Sequence, residues 1–220
     1  MTTSGEAGQS DALPGRFPIF PLPGAILLPG GNLPLNIFEP RYLQMTRDAM
    51  RTDRVIGMIQ PNGRGAPEHP ELFPVGCAGR ITSFSETDDG RYLITLTGVC
   101  RYDVVEELTV STPYRQVIAS FERWHMDLEE AAPPATLRAP LLQALRGYFD
   151  LHEISADWAQ IEAAPLAGLI TSLAMICPFE PCEKQALLEA PDVEQRGRVL
   201  ITLLQMGALA ARDDQINARH

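Results

Sequence analysis

Hydrophobic residues follow two rhythms along this chain. Up to about residue 124 they alternate with polar residues or gather in short runs bounded by glycine and proline; beyond about residue 135 they return at helical spacing. The first rhythm predicts strands. Phe17-Pro18-Ile19-Phe20-Pro21-Leu22-Pro23-Gly24 and Leu27-Leu28-Pro29-Gly30 carry prolines too closely spaced for a helix. Leu33, Leu35 and Ile37 then alternate with Pro34, Asn36 and Phe38. The stretch reads as strand, Gly-Pro loop, strand and helix, the helix starting at Glu39-Pro40. Proline suits a first helical position because its missing N–H would be unpaired there, and the glutamate complements the helix dipole. That helix runs from about Pro40 to Arg51, with Tyr42, Met45 and Ala49 inward. Val55-Ile56-Gly57-Met58-Ile59 is apolar on both faces and predicts a buried strand. Asp88-Asp89-Gly90 marks a hairpin turn. After it Tyr92, Ile94, Leu96, Gly98, Cys100, Tyr102 and Val104 share one face of a strand long enough to bend at Gly98 and serve two pairings. Val117, Ala119 and Phe121 mark a further strand.

The second rhythm predicts helices. Leu137, Leu141, Leu142, Leu145, Tyr148 and Phe149 form one stripe. Leu166–Ile176 is apolar all round, which predicts the central helix of a bundle. Pro181 and Pro191 each open a helix, the last running from about Pro191 to Ala211 with Val193, Leu200, Ile201 and Leu204 on one face. Strands followed by helices define an α+β chain. The expected divisions are a disordered tail at 1–15, a β-rich subdomain at 16–124, a linker at 125–134, a helical bundle at 135–212 and a tail at 213–220.

Composition narrows the chemistry. The 220 residues carry a net charge of -10, which disfavours phosphate-rich partners. Lys184 is the only lysine, so arginine supplies the other positive charge and suits fixed pairing with carboxylates. Cys77, Cys100, Cys177 and Cys182 form no C-x-x-C pair and read as reduced thiols of a cytoplasmic protein. The start lacks the pattern of a signal peptide, and the longest apolar run is too short for a membrane span.

Catalytic patterns are missing. There is no G-x-x-x-x-G-K-[ST] and no G-x-S-x-G. Gly63-Arg64-Gly65 is a short loop and not a phosphate cradle, because no Lys-Ser/Thr follows it. His152-Glu153 starts a zincin-like pair, but Ala156 stands where the second histidine belongs. A Ser–Lys dyad would have to join Lys184 to Ser155 or Ser172, and Lys184 reads as solvated. Glu86, Asp88 and Asp89 read as a solvated hairpin tip, and the four thiols as separate core residues. Arg41, Arg80 and Arg101 interrupt apolar segments; internal pairing with Glu39, Asp103 or Glu106 outweighs a role in recognising carboxylates or carbonyls. No catalytic residue, metal or cofactor is expected.

Several segments together resemble the N-terminal, substrate-binding domain of Lon proteases. They are Phe20-Pro21-Leu22-Pro23-Gly24, Leu28-Pro29-Gly30, Leu33-Pro34-Leu35 and, above all, Ile37-Phe38-Glu39-Pro40-Arg41-Tyr42. The likeness continues at Val75–Ile81, Asp89–Tyr92, Leu96–Tyr102, Pro113-Tyr114-Arg115, Pro178-Phe179 and Lys184–Glu189. Leu28 stands where that family often has Phe, and Asn36 where it often has His. The resemblance implies a PUA-like β pseudo-barrel with one interrupting helix, followed by a helical bundle, as in stand-alone bacterial members. These 220 residues hold no counterpart of the ATPase and Ser–Lys protease modules of full-length Lon, so peptidase activity is not expected of them.

The expected function is binding of unfolded or extended protein segments, in an apolar groove between barrel and bundle, without catalysis. Phe20, Leu22, Leu27, Leu28, Phe38 and Met58 are the candidate lining; Glu39, Pro40, Arg41 and Tyr42 are a structural signature. Pro21–Leu28 is the part expected to stay partly exposed, since its prolines withhold the backbone from a sheet. Three alternatives compete: an adaptor docking onto a separate protease or chaperone, an RNA-binding PUA-like protein, and a cryptic hydrolase. Nucleic acid and membrane are not expected partners, and the sequence leaves oligomeric state open.

Overall fold

The computed structural model describes residues 13–129 and 132–217. The first half contains β1 (Arg16–Pro21), β2 (Asn32–Ile37), α1 (Pro40–Met50), β3 (Val55–Ile59), β4 (Pro61–Ala66), β5 (His69–Leu72), β6 (Val75–Glu86), β7 (Tyr92–Glu107) and β8 (Gln116–Ser120). Two 3-10 segments, Glu122–Leu128 and Ala135–Leu137, lead into α2 (Arg138–Leu151), α3 (Trp158–Ala163), α4 (Leu166–Ile176), α5 (Pro181–Glu189) and α6 (Val193–Asn217). The strand order is β2-β7-β6-β3-β1-β8, and β8 pairs again with β7, which closes five strands into a barrel and leaves β2 outside on β7. Only β1 and β3 pair in parallel within this sheet.

The long strand β7 meets three partners because its ladder with β6 is broken by bulges. Ala78 faces Cys100 and Gly79 faces Gly98, leaving Val99 as the extra residue. Gly98 has a steric duty as well, since a Cβ there would run into the carbonyl of Leu28. The barrel interior holds Phe17, Ile19, Val55, Ile59, Tyr102 and Val117. Ile56, Met58, Val75 and Cys77 point the other way, into a larger core shared with α1 and the helical half. β3 is apolar on both faces for this reason.

Two buried polar assemblies lock the halves together. Gln60 accepts from the Gly24 N–H through Oε1, and its Nε2 donates to the Pro181 carbonyl and to Gln185 Oε1, 3.1 Å away. Gln185 in turn donates to the Val75 carbonyl. Arg101, 2% exposed, grips Asp127 with Nε at 2.8 Å and Nη2 at 2.6 Å. Its remaining donors reach the carbonyls of Leu188, Ala190 and Pro191. The Trp124 ring lies against the guanidinium groups of Arg101 and Arg123.

Several expectations need correction. The predicted linker at 125–134 begins as ordered 3-10 structure carrying the buried Asp127, with residues 130 and 131 outside the described range. Residues 1–12 of the predicted first tail and 218–220 of the last also lie outside it; α6 extends through Asn217. Gly63-Arg64-Gly65 belongs to a β4–β5 hairpin, with Gly63 and Gly65 at positive φ. Phe121 falls just past β8. α4 is not enclosed, since Gly168, Ser172 and Ile176 are exposed one turn apart; α6 packs on α2, α4 and α5 and occupies the centre. Lys184 is buried, not solvated: it is 3% exposed and its ammonium donates to the Met175 carbonyl.

Candidate functional site

The loop after β1 and the start of α1 build one wall of a cleft of about 300 Å³. Pro21 and Pro23 extend from the end of β1, and Gly24 turns the chain at φ 71°. Glu39 is the N-cap of α1 in extended conformation and Pro40 is its first residue, as the sequence requires. The Glu39 carboxylate does not cap the helix; it accepts from Arg41 Nε at 2.9 Å. Arg41 lies over the ring of Tyr42, and Tyr42 packs on Phe20 with ring centroids 4.3 Å apart. Burial of the Tyr42 phenol raises its pKa.

The opposite wall comes from more distant sequence. Pro61 enters from the start of β4, Pro67 and Pro70 from the β4–β5 hairpin, and Pro113, Tyr114 and Arg115 from the segment before β8. Tyr114 donates to Asp48 of α1 at 2.8 Å, which with burial pushes its phenol up to about 12. Arg115 is fixed between the two Glu107 oxygens, both at 2.5 Å, and the Pro70 carbonyl at 2.8 Å. The Arg115 guanidinium holds Glu107 below its ordinary pKa. Six prolines and two tyrosines thus surround the cleft on a backbone braced by paired charges. The rings give the cleft stiff apolar walls beside the charged Arg41, Glu68 and Arg115, so a ligand meets little conformational cost there.

The six residues expected to line a groove do not assemble there. Phe20 of β1 and Met58 of β3 are core residues, and Leu27 and Leu28 join the same core because the second half of the Pro21–Leu28 loop is buried in it. Leu22 is half-buried against that core. Phe38 is 61% exposed, with Arg91 over its ring. In the loop only Pro21–Ala25 keeps surface, while Ile26, Leu27 and Leu28 are buried. The prolines of β4 and β5 were missed because that stretch shows no hydrophobic alternation. The close spacing of Pro61, Pro67 and Pro70 was the available signal.

The arginines are internal pairs, though not all with the expected acids. Arg41 takes Glu39 as anticipated, Arg80 donates to the Asp53 carbonyl, and Arg101 takes Asp127 in place of Asp103 or Glu106. Among the described residues no cluster of three or more His, Cys, Asp or Glu could hold a metal ion. Burial pushes the Cys100 and Cys177 thiols up to about 12 and 11, so they are poor nucleophiles. No described helix is long and apolar enough to cross a membrane.

A closed PUA-like barrel with a helical bundle locked to it is the fold of the domain found at the N-terminus of Lon proteases. Residues 16–206 match the ATP-dependent protease La (LON) substrate-binding domain, and the chain belongs to that family. It is 28% identical over 212 residues to Lon protease 2 of Myxococcus xanthus, an alignment covering 93% of this chain and 25% of that protein. With Lon protease of Anaeromyxobacter dehalogenans it shares 27% over 204 residues, covering 89% of this chain and 24% of the relative. The chain therefore spans about a quarter of the length of these relatives. Among solved structures, the Lon N-terminal domain protein from Xanthomonas campestris superposes with a TM-score of 0.61 at 22% identity, covering 85% of this chain and 97% of that one. The N-terminal domain of Mycobacterium avium complex Lon protease also gives 0.61, at 16% identity, covering 86% and 97%. The two structures support the same fold.

Proposed function

We propose that this cytoplasmic domain binds extended or unfolded protein segments along the proline-walled cleft and does not act on them chemically. The convergence of Pro21 and Pro23, Arg41 and Tyr42, and Pro113, Tyr114 and Arg115 on one cleft carries this reading. These three segments are far apart in sequence and are among those on which the Lon resemblance rests. Their rings offer rigid apolar contact to many side chains, which suits a client without fixed shape. Membership of a substrate-binding family favours protein as the ligand.

Electrostatics favours protein over RNA. Arg41, Arg91, Arg115 and Arg123 on the barrel are each paired with an acid, and although Arg16, Arg54 and Arg64 are exposed without an acidic partner among the described residues, the net charge of -10 disfavours a phosphate backbone. The ammonium of Lys184, the one lysine, is committed to a carbonyl, which disfavours the Ser–Lys reading. The direct test is titration of a fluorescently labelled, permanently unfolded protein. Saturable binding at about 10 μM, the usual scale for transient contacts, is expected, with no cleavage of the probe. Absence of saturable binding at tenfold higher concentration contradicts the proposal.

A further inference from the structure

A second cleft, of about 310 Å³, lies on the other side of the junction, where the β1–β2 loop, the first 3-10 segment, α4 and the start of α6 meet. Pro29, Met126, Ala167 and Val193 give it apolar walls. Its floor holds two arginines of unequal standing. Arg101 has every donor group engaged by Asp127 or a carbonyl. Arg196 is 4% exposed; its Nε donates to the Leu187 carbonyl, but Nη2 has no acceptor among the described residues. An enclosed donor without a partner is costly, and more so when it is charged. Burial, and after it the charge of Arg101, depress the Arg196 pKa to about 10, so the group stays charged at neutral pH.

Asp127 and Asp192 offset part of the Arg196 charge through space, but neither accepts from Nη2. Asp127 is committed to Arg101. Asp192 turns Oδ1 to the Gln195 N–H, capping α6, and Glu129 is exposed at the rim. The cleft thus combines the N-terminus of a long helix with a buried guanidinium that has a free donor. Its volume sits at the small end of small-molecule sites, enough for one compact apolar body.

We propose that this cleft binds a compact apolar monocarboxylate, its carboxylate accepting from Arg196 and its body resting on Pro29, Met126, Ala167 and Val193. The ligand is either a free acid or the C-terminal residue of a polypeptide. Nη2 has almost no accessible surface in this structure, so the carboxylate reaches it only after a local side-chain movement. This site is separate from the proline-walled cleft, and the two proposals stand or fall independently.

The test uses the whole chain and measures thermal midpoint and tryptophan fluorescence against sodium benzoate, with benzamide and sodium chloride as matched controls. Benzoate is expected to bind saturably in the millimolar range or tighter, and benzamide at least about tenfold more weakly, the worth of one charge-assisted hydrogen bond. Arg196→Met removes the response. Because that variant also loses the bond to Leu187, Ala167→Phe serves beside it: it fills the cleft, leaves Arg196 in place and is expected to abolish benzoate binding. A labelled peptide ending in leucine, as free acid and as amide, separates the sources. Binding of the acid in competition with benzoate assigns a polypeptide C-terminus; binding of benzoate alone assigns a free acid. Equal responses to benzoate and benzamide, persistence in Ala167→Phe, or no response to benzoate or to the peptide acid overturns the proposal.

Discussion

Replacing Arg101 by leucine should be among the most damaging single changes in this protein. The side chain ties β7 to the 3-10 segment through Asp127, and to the α5–α6 turn through three carbonyls. Leucine fills part of the volume but leaves the Asp127 carboxylate, 8% exposed, without its cation. Breaking a buried pair from one side costs about 3–5 kcal/mol. The stranded carbonyls add to this, though not independently, since all depend on one group. A domain has about 5–15 kcal/mol of stability in total. At ~2–4 °C per kcal/mol for a chain of this size, the midpoint should fall by roughly 10 °C. Urea unfolding followed by far-UV circular dichroism measures the loss, and near-UV signals report on Trp124, which lies against Arg101. Arg101→Leu/Asp127→Leu provides the control: with the carboxylate gone, stability should recover by at least about 1 kcal/mol over Arg101→Leu. A single variant within about 1 kcal/mol of the parent, or a cycle with no coupling, would refute the claim that this pair locks the two halves.

Other predictions are simpler. Tyr102→Phe removes a buried hydroxyl that has no partner, so it should leave stability unchanged or raise it by up to about 1 kcal/mol; a clear loss would mean the hydroxyl is engaged. Gly98→Ala should destabilise the chain by several kcal/mol, because the added Cβ meets the Leu28 backbone and no side chain can yield, a change read by denaturant midpoint. In a thiol titration of the native protein Cys182 should react first, since Cys77, Cys100 and Cys177 are buried. These thiols also set a sign for alkaline stability. Unfolded cysteine ionises near pH 8.5, whereas folded Cys177 does so at about 11. Its contribution is intact below the unfolded value and lost as pH rises towards the folded one. Lys184, with a pKa lowered chiefly by burial, works in the opposite sense, so Cys177→Ala is the informative comparison. That variant should lose less stability than the parent between those two pH values, and an identical pH profile would count against the buried thiol.

Much of the fold was legible because periodicity reports burial on one face. β7 was read through its alternation and its glycine bend, and α1 through Glu39-Pro40 and the spacing of Tyr42, Met45 and Ala49. What escaped was set by tertiary partners. Arg101 passes over nearby Asp103 because its guanidinium points into the junction, where Asp127 arrives from the 3-10 segment beyond β8. Lys184 follows the helix-start residues Glu180 and Pro181 and looks solvent-bound, yet its stem is covered and its ammonium closes the end of α4 at Met175. α4 looked central from composition alone, but its Gly168-Ser172-Ile176 stripe faces outward and α6 has the neighbours. The candidate site was only half visible. The Pro21–Leu28 loop was read as partly exposed, but Arg41 and Tyr42 were read as a structural signature only, and Pro61, Pro67 and Pro70 sit in a hairpin with no hydrophobic rhythm.

The central claim rests on one comparison: binding of a labelled unfolded protein to the parent chain and to Pro23→Glu/Pro67→Glu. Both prolines are exposed at the rim of the cleft, so the substitutions place charge in the path of a client without entering the core. Unchanged circular dichroism, saturable binding by the parent and affinity at least about tenfold weaker in the variant are predicted, a loss of about 1.4 kcal/mol. Equal affinity in a folded variant, or no saturable binding by the parent, would contradict the account.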